Sequence, residues 1–275
     1  MIFQGKPGGV EGFVPDCLIF DVDGVLIDSS ASYPEMIRIA VEREWEAAGF
    51  IADAPGYSAP LDAVFKRHGG FNDDAHIAWG LLNIMASRDH GSGRLSECAP
   101  APAELETIIF RCDTGSARRW LEKNYAERFP LGRVAEKCME IYHGSGGRPG
   151  VYTTEKPMLN AWWGDLPLPA YVFTGRSSSE WELAKVMLSW GDFPDERAVT
   201  SDSGMLKPSP EGLEHICRRF GHETPLFFGD TASDRMSFEA FGKGGFVAIG
   251  NNLGNWTPNF PCVRDALSNL IGWRG

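Results

Sequence analysis

The chain has 275 residues, 43% of them hydrophobic and 12% aromatic, which fits a folded globular protein with a sizeable core and excludes a disordered one. Its net charge of -11 argues against a polyanion-binding role, because nucleic-acid binders usually present a basic face. No apolar stretch approaches the ~20 residues that span a bilayer, and residues 1–16 hold no secretory apolar run, so a cytoplasmic protein without a membrane partner is expected.

Residues 1–15 read as a flexible lead. Cys17 to Phe20 is a short apolar run, the pattern of a strand buried on both faces of a parallel sheet. Asp21 and Asp23 follow, two residues apart, with Gly24 next. Alternate residues of an extended chain point the same way, so this segment aims both carboxylates at one spot. That spot, beyond the strand's carboxyl end, is the usual binding crevice of an open α/β sheet. Crowded carboxylates repel, and a cation or a shared proton relieves them. Mg2+ suits such oxygen donors and often bridges carboxylates to a phosphate. Taken alone, the D-x-D-G pattern also fits a solvated turn.

Residues 34–48 carry a helical stripe of Ile37, Ala40, Val41 and Trp45, with Gly49 placed to end it. The chain then reads as helical, over 60–68, 72–87, 103–111, 116–126 and 131–142, with an exposed Gly/Ser/Pro loop at 88–102. The glycine-rich HGSGGRPG at 143–150 reads as a linker. Beyond it, apolar runs at 170–173, 198–200, 226–228 and 246–249 alternate with helical periods at 177–189, 209–220, 233–241 and 264–271. Such alternation means βαβ units and a parallel sheet. The first strand is too apolar to stand alone and must join that sheet. The fold expected is therefore α/β, a doubly wound parallel sheet from residues 1–30 and 151–275, with an α-helical domain, 31–150, inserted.

Three further motifs follow apolar runs: YVFTGRS at 171–177, LKPSP at 206–210 and LFFGDTASD at 226–234. The order DVDGV, TGR, Lys-Pro, GDTxxD resembles the haloacid dehalogenase superfamily of phosphohydrolases. The long insertion resembles its helical-cap branch, which includes phosphoglycolate phosphatases and β-phosphoglucomutases. The core resemblance covers about residues 16–30 and 155–275. It implies that Asp21 is the nucleophile, forming an aspartyl-phosphate, and that Asp23 is first general acid and then general base. Family members that dehalogenate carbon lack the second aspartate, so Asp23 favours phosphoryl transfer. The resemblance implies that Thr174 and the backbone of Gly175 bind a phosphate oxygen and that Lys207 neutralises nucleophile and phosphate charge. It also implies Mg2+ held by Asp21, the backbone carbonyl of Asp23, and Asp230, with Asp234 in support.

The activity expected is Mg2+-dependent hydrolysis of a small phosphate monoester, phosphoglycolate- or sugar-phosphate-like, by a monomer or homodimer. A small phosphorylated metabolite is the partner expected. A phosphomutase using the same intermediate is the first alternative, although GDTASD resembles phosphatases more closely. A non-catalytic binding member is the second.

Other conspicuous residues have plainer readings. Trp45 and Trp162–Trp163 fit helical faces and are expected in the core. Asn72–Asp73–Asp74 reads as a metal site or as a helix cap. Thr174 could cap the helix near Ser177. Arg176 could guard the crevice or lie on the surface, and is not placed among the catalytic residues. The six histidines share no spacing. The six cysteines are scattered and are expected as reduced, mostly buried thiols.

Overall fold

A computed structural model describes residues 2–3, 13–68, 71, 73–111 and 117–275. The chain forms two compact units, Met1–Asp28 with Lys156–Gly275, and Ser29–Glu155. The first opens with β1 (Ile2–Phe3), β2 (Cys17–Phe20) and β3 (Ile27–Asp28). The second carries α1 (Tyr33–Ala47), α2 (Ala59–Lys66), α3 (Asp74–Arg88), α4 (Leu95–Cys98), α5 (Pro102–Ile109), α6 (Ala117–Asn124) and α7 (Leu131–His143), then β4 (Gly144–Ser145) and β5 (Arg148–Pro149). Back in the first unit come β6 (Lys156–Pro157), β7 (Ala170–Phe173), α8 (Ser178–Leu188), β8 (Ala198–Val199), α9 (Glu211–Phe220) and β9 (Pro225–Gly229). It closes with α10 (Ala232–Phe241), β10 (Gly244–Ile249), β11 (Asn259–Phe260) and α11 (Val263–Ile271).

The main sheet is parallel, in the order β1-β10-β9-β2-β7-β8, with β11 also beside β10. Side chains alternate across it. Leu18 and Phe20 join Val172, Leu226 and Phe228 on one face, under Trp181, Ala184 and Leu188 of α8 and Ala266 and Leu267 of α11. Cys17 and Ile19 join Tyr171, Phe173 and Phe227 on the other, under Leu213 and Ile216 of α9 and Phe238 of α10. Helices on both faces make the sheet doubly wound and explain why β2 carries no polar residue. Each large apolar side chain so buried contributes about 1.5–3 kcal/mol.

The strand order also positions the site. From β2 the chain builds outward through β7 and β8, then crosses to the other side for β9 and β10. The connections leaving β2 and β9 therefore diverge, which opens a crevice at their carboxyl ends.

In the helical unit, α3 is buried at every position from Ile77 to Met85, and α1 and α7 pack on it. Asn83 lies in that buried run. Its Nδ2 donates to Trp79 O and Phe129 O, at 3.0 and 3.2 Å. Its Oδ1 accepts from the N–H groups of Arg128 and Phe129, at 2.8 and 3.0 Å. One amide thus satisfies the backbone of the turn entering α7.

Several expectations need correction. Ile2 and Phe3, inside the expected flexible lead, pair with Gly244 and Gly245. The expected loop 88–102 contains α4, with Leu95 and Cys98 buried. The glycine-rich 143–150 segment is no linker. It is the β4–β5 hairpin of the helical unit, with Gly146 and Gly147 at φ 58° and 79°, the positive dihedrals a tight two-residue turn demands. The chain passes between units at 28/29 and 155/156, not at 30/31 and 150/151. Trp45 is fully buried on α1. Trp162 and Trp163 instead sit at a short 3₁₀ turn, Trp162 is exposed, and both indole N–H groups donate to Asp192. Asp73 caps α3, accepting from Ala75 N and His76 N. Asn72 and Cys112 lie outside the described residues. Among the described residues, no helix is long and apolar enough to cross a membrane.

Replacing Asn83 with alanine strands the buried N–H and C=O of Phe129, so Asn83→Ala is expected to lower unfolding free energy by about 2–4 kcal/mol. Denaturant melts read it directly, and an unchanged midpoint would refute this role for Asn83.

Candidate active site

Asp21 is the first residue after β2, and its N–H donates to Phe228 O of β9 at 2.9 Å. Asp230 is the first residue after β9. Parallel pairing of Phe20 with Phe228 brings both strand ends to one edge. Asp234 lies one turn into α10 and closes that helix's start: Thr231 accepts from Asp234 N, while Asp234 Oδ2 accepts from Asp230 N, Thr231 N and Thr231 Oγ1. The ligand atoms of Asp21, Asp230 and Asp234 lie within 4.8 Å of one another. All three residues are at least nine-tenths buried.

Lys207 binds this group together. Its Nζ is 2.7 Å from Asp21 Oδ1 and 2.6 Å from Asp234 Oδ1. Burial opposes the charge on Lys207, but Asp21 and Asp234 outweigh it and hold the pKa above the ordinary lysine value. Burial pushes the Asp21 carboxyl up to about 7 against the pull of Lys207, with Asp234 and Asp23 adding repulsion. One ammonium faces three carboxylates. A divalent cation would relieve the remaining charge, and the donors are all hard oxygens, the set that suits Mg2+. The residues fit the ion.

Two glycines make the close approach possible. A Cβ on Gly24 would stand 2.3 Å from Asp230 Oδ2, and Gly24 has φ 72°. A Cβ on Gly229 would stand 2.5 Å from the Asp234 Cβ. Neither position admits a side chain without moving an aspartate.

Asp23 takes a different place. Its carboxylate is 30% exposed and is gripped by Arg176, Nε to Oδ2 at 3.1 Å and Nη2 to Oδ1 at 2.7 Å. It is not one of the three carboxylates clustered within 4.8 Å of one another, yet it stands close enough to Asp21 to add repulsion there. The chain turns sharply from Val22 through Ile27, the N–H groups of Val25, Leu26 and Ile27 all reaching Val22 O.

Thr174 ends β7, buried, and its Oγ1 accepts from Arg176 N at 3.1 Å. It does not cap α8. Ser177 does, in a reciprocal pair with Glu180. Gly175 is exposed at the same edge. The structure thus gathers Asp21, Lys207, Asp230 and Asp234 into one cluster, with Thr174 and Gly175 at the end of the neighbouring strand.

Two residues escape the sequence reading. Asn252, just past β10, donates to Asp230 Oδ2 at 3.0 Å. A signal existed, since every loop at this edge of a parallel sheet can contribute to the crevice. Arg176 has no place among the sequence-derived catalytic residues, because no local pattern links it to a residue 153 positions earlier. Three of the buried cysteines are poor nucleophiles by contrast. Burial raises the thiol of Cys17 and pushes those of Cys138 and Cys217 up to about 12.

The chain resembles known proteins along most of its length. Residues 15–242 match the family model for haloacid dehalogenase-like hydrolases. A phosphatase, Tt82, from Thermococcus thioreducens is 25% identical, covering 92% of this chain and 99% of its own, with a TM-score of 0.62. A predicted phosphoglycolate phosphatase from Haemophilus somnus is 14% identical over 94% of this chain and 98% of its own, with a TM-score of 0.56. No curated protein sequence matches. With a family model spanning both the aspartate-bearing strands and the inserted helical unit, the chain belongs to the haloacid dehalogenase-like hydrolases and is an enzyme of that kind.

Proposed function

We propose that this hydrolase is a Mg2+-dependent phosphatase, cleaving a small phosphate monoester through an aspartyl-phosphate on Asp21. One observation carries the reading: a buried carboxylate at the switch-point crevice has one oxygen on Lys207 and two further carboxylates beside it. The substrate class is a small phosphorylated metabolite, phosphoglycolate- or sugar-phosphate-like, and the enzyme works as a monomer or homodimer in the cytoplasm without nucleic-acid or membrane partners.

In this reading Asp21 attacks phosphorus, the bond to the ester oxygen breaks, and Asp23 gives a proton to the departing alkoxide. Asp23 then takes a proton from water as that water attacks the phosphoryl group. The bond to Asp21 breaks, releasing inorganic phosphate and restoring the carboxylate. Lys207 fixes the attacking carboxylate and offsets charge during both steps. Thr174 accepts from Arg176 N through its hydroxyl oxygen, leaving its O–H to donate to a phosphoryl oxygen, beside the Gly175 backbone. Asp21, Asp230 and the Asp23 carbonyl would hold Mg2+, with Asp234 in support, and the ion would supply neutralising charge at the phosphoryl oxygens.

Phosphate release from a panel of small esters is expected with Mg2+, to vanish with excess EDTA, and to fall by at least about 10³-fold in Asp21→Asn. Release that survives both EDTA and the substitution would end this reading. An isomeric sugar phosphate in place of inorganic phosphate would move the assignment to a mutase.

Gly24→Ala places a methyl group against Asp230, so Mg2+ affinity by calorimetry is expected to drop about 10–100-fold. Wild-type affinity in that variant would argue against Asp230 as a ligand.

A further inference from the structure

Arg176 is among the largest fully buried side chains of the molecule, with its side chain 1% exposed. A buried guanidinium needs a partner. It finds one in Asp23, through the paired N–H fork that matches a carboxylate edge. Its backbone is fixed at both ends: N–H to the Thr174 hydroxyl at 3.1 Å, and C=O accepting from Ser201 N at 2.9 Å. The fork is therefore mounted on the ends of β7 and β8 rather than on a free loop. Asp23 retains 30% exposure, so the fork does not seal its carboxylate from solvent.

We propose that Arg176 is a positioning residue for Asp23, holding the carboxylate in the orientation that delivers a proton to the leaving group. This rests on the phosphatase reading above. Without the fork, Asp23 at the sharp 22–27 turn has other staggered rotamers open to it, and proton delivery fails geometrically while the contacts of Lys207 with Asp21 and Asp234 remain.

The test separates this from a merely structural role. Phenyl phosphate and p-nitrophenyl phosphate are similar in shape, but phenolate leaves with far more need of a proton. The quantity kcat/KM reports transfer to Asp21, the step in which Asp23 is the acid. Arg176→Gln and Arg176→Lys are expected to lose at least about tenfold more kcat/KM on phenyl phosphate than on p-nitrophenyl phosphate. In an Asp23→Asn background, Arg176→Gln is expected to change kcat/KM less than about twofold, because both substitutions remove one function. The lysine variant keeps the buried charge without the fork, so it serves if the glutamine variant melts early. Equal losses on the two esters, or additive losses in the double variant, would overturn the proposal while leaving the phosphatase reading intact. A wild-type enzyme that releases phosphate from neither these esters nor the wider panel would overturn both.

Discussion

The ammonium of Lys207, set between Asp21 and Asp234, is the contact on which the site depends. It ties the end of β2 to the start of α10, two elements far apart in sequence. Breaking a buried pair of this kind leaves an uncompensated charge and costs about 3–5 kcal/mol. The phenyl rings of Phe173 and Phe227 stand 5.2 and 5.7 Å from the Lys207 nitrogen, so the same cation also faces the aromatic layer of the sheet. The site and the core are thereby one structure.

Everything else at the edge serves close approach. Asp234 spends one oxygen on Lys207 and the other on the N–H groups of Asp230 and Thr231. That anchors Asp234 on both oxygens. Gly24 and Gly229 remove the atoms that would hold the aspartates apart. Asn252 and Arg176 orient Asp230 and Asp23 from the flanks. The result is a division of labour among carboxylates that are chemically identical. Three converge under one lysine, while Asp23 stands aside, partly exposed, on its own arginine.

Much of this was legible in the sequence because it is local. The strands at 17–20 and 170–173, and the helices at 178–188 and 263–271, follow from apolar period and stop signals. Asp21, Thr174 and Asp230 each follow an apolar run, whereas Lys207 stands out only through its place in the ordered set of four motifs. What was not legible depends on pairing across long separations. Arg176 is unremarkable until the fold carries it to Asp23. The 143–150 glycines read as a linker because glycine marks hinges and tight turns alike, and only the Gly144–Pro149 pairing decides between them. Trp162 and Trp163 fail a helical reading because Asp192, thirty residues on, captures both indoles.

The central claim is that Asp21 carries the phosphoryl group. Acid quenching during turnover of a phosphate ester, followed by peptide mass mapping, tests it most directly. The account predicts a phosphorylated peptide whose modified residue is Asp21, appearing within the first turnover and decaying as substrate is exhausted. Steady phosphate release with no phosphorylated protein at any quench time, or with the group on another residue, would contradict it.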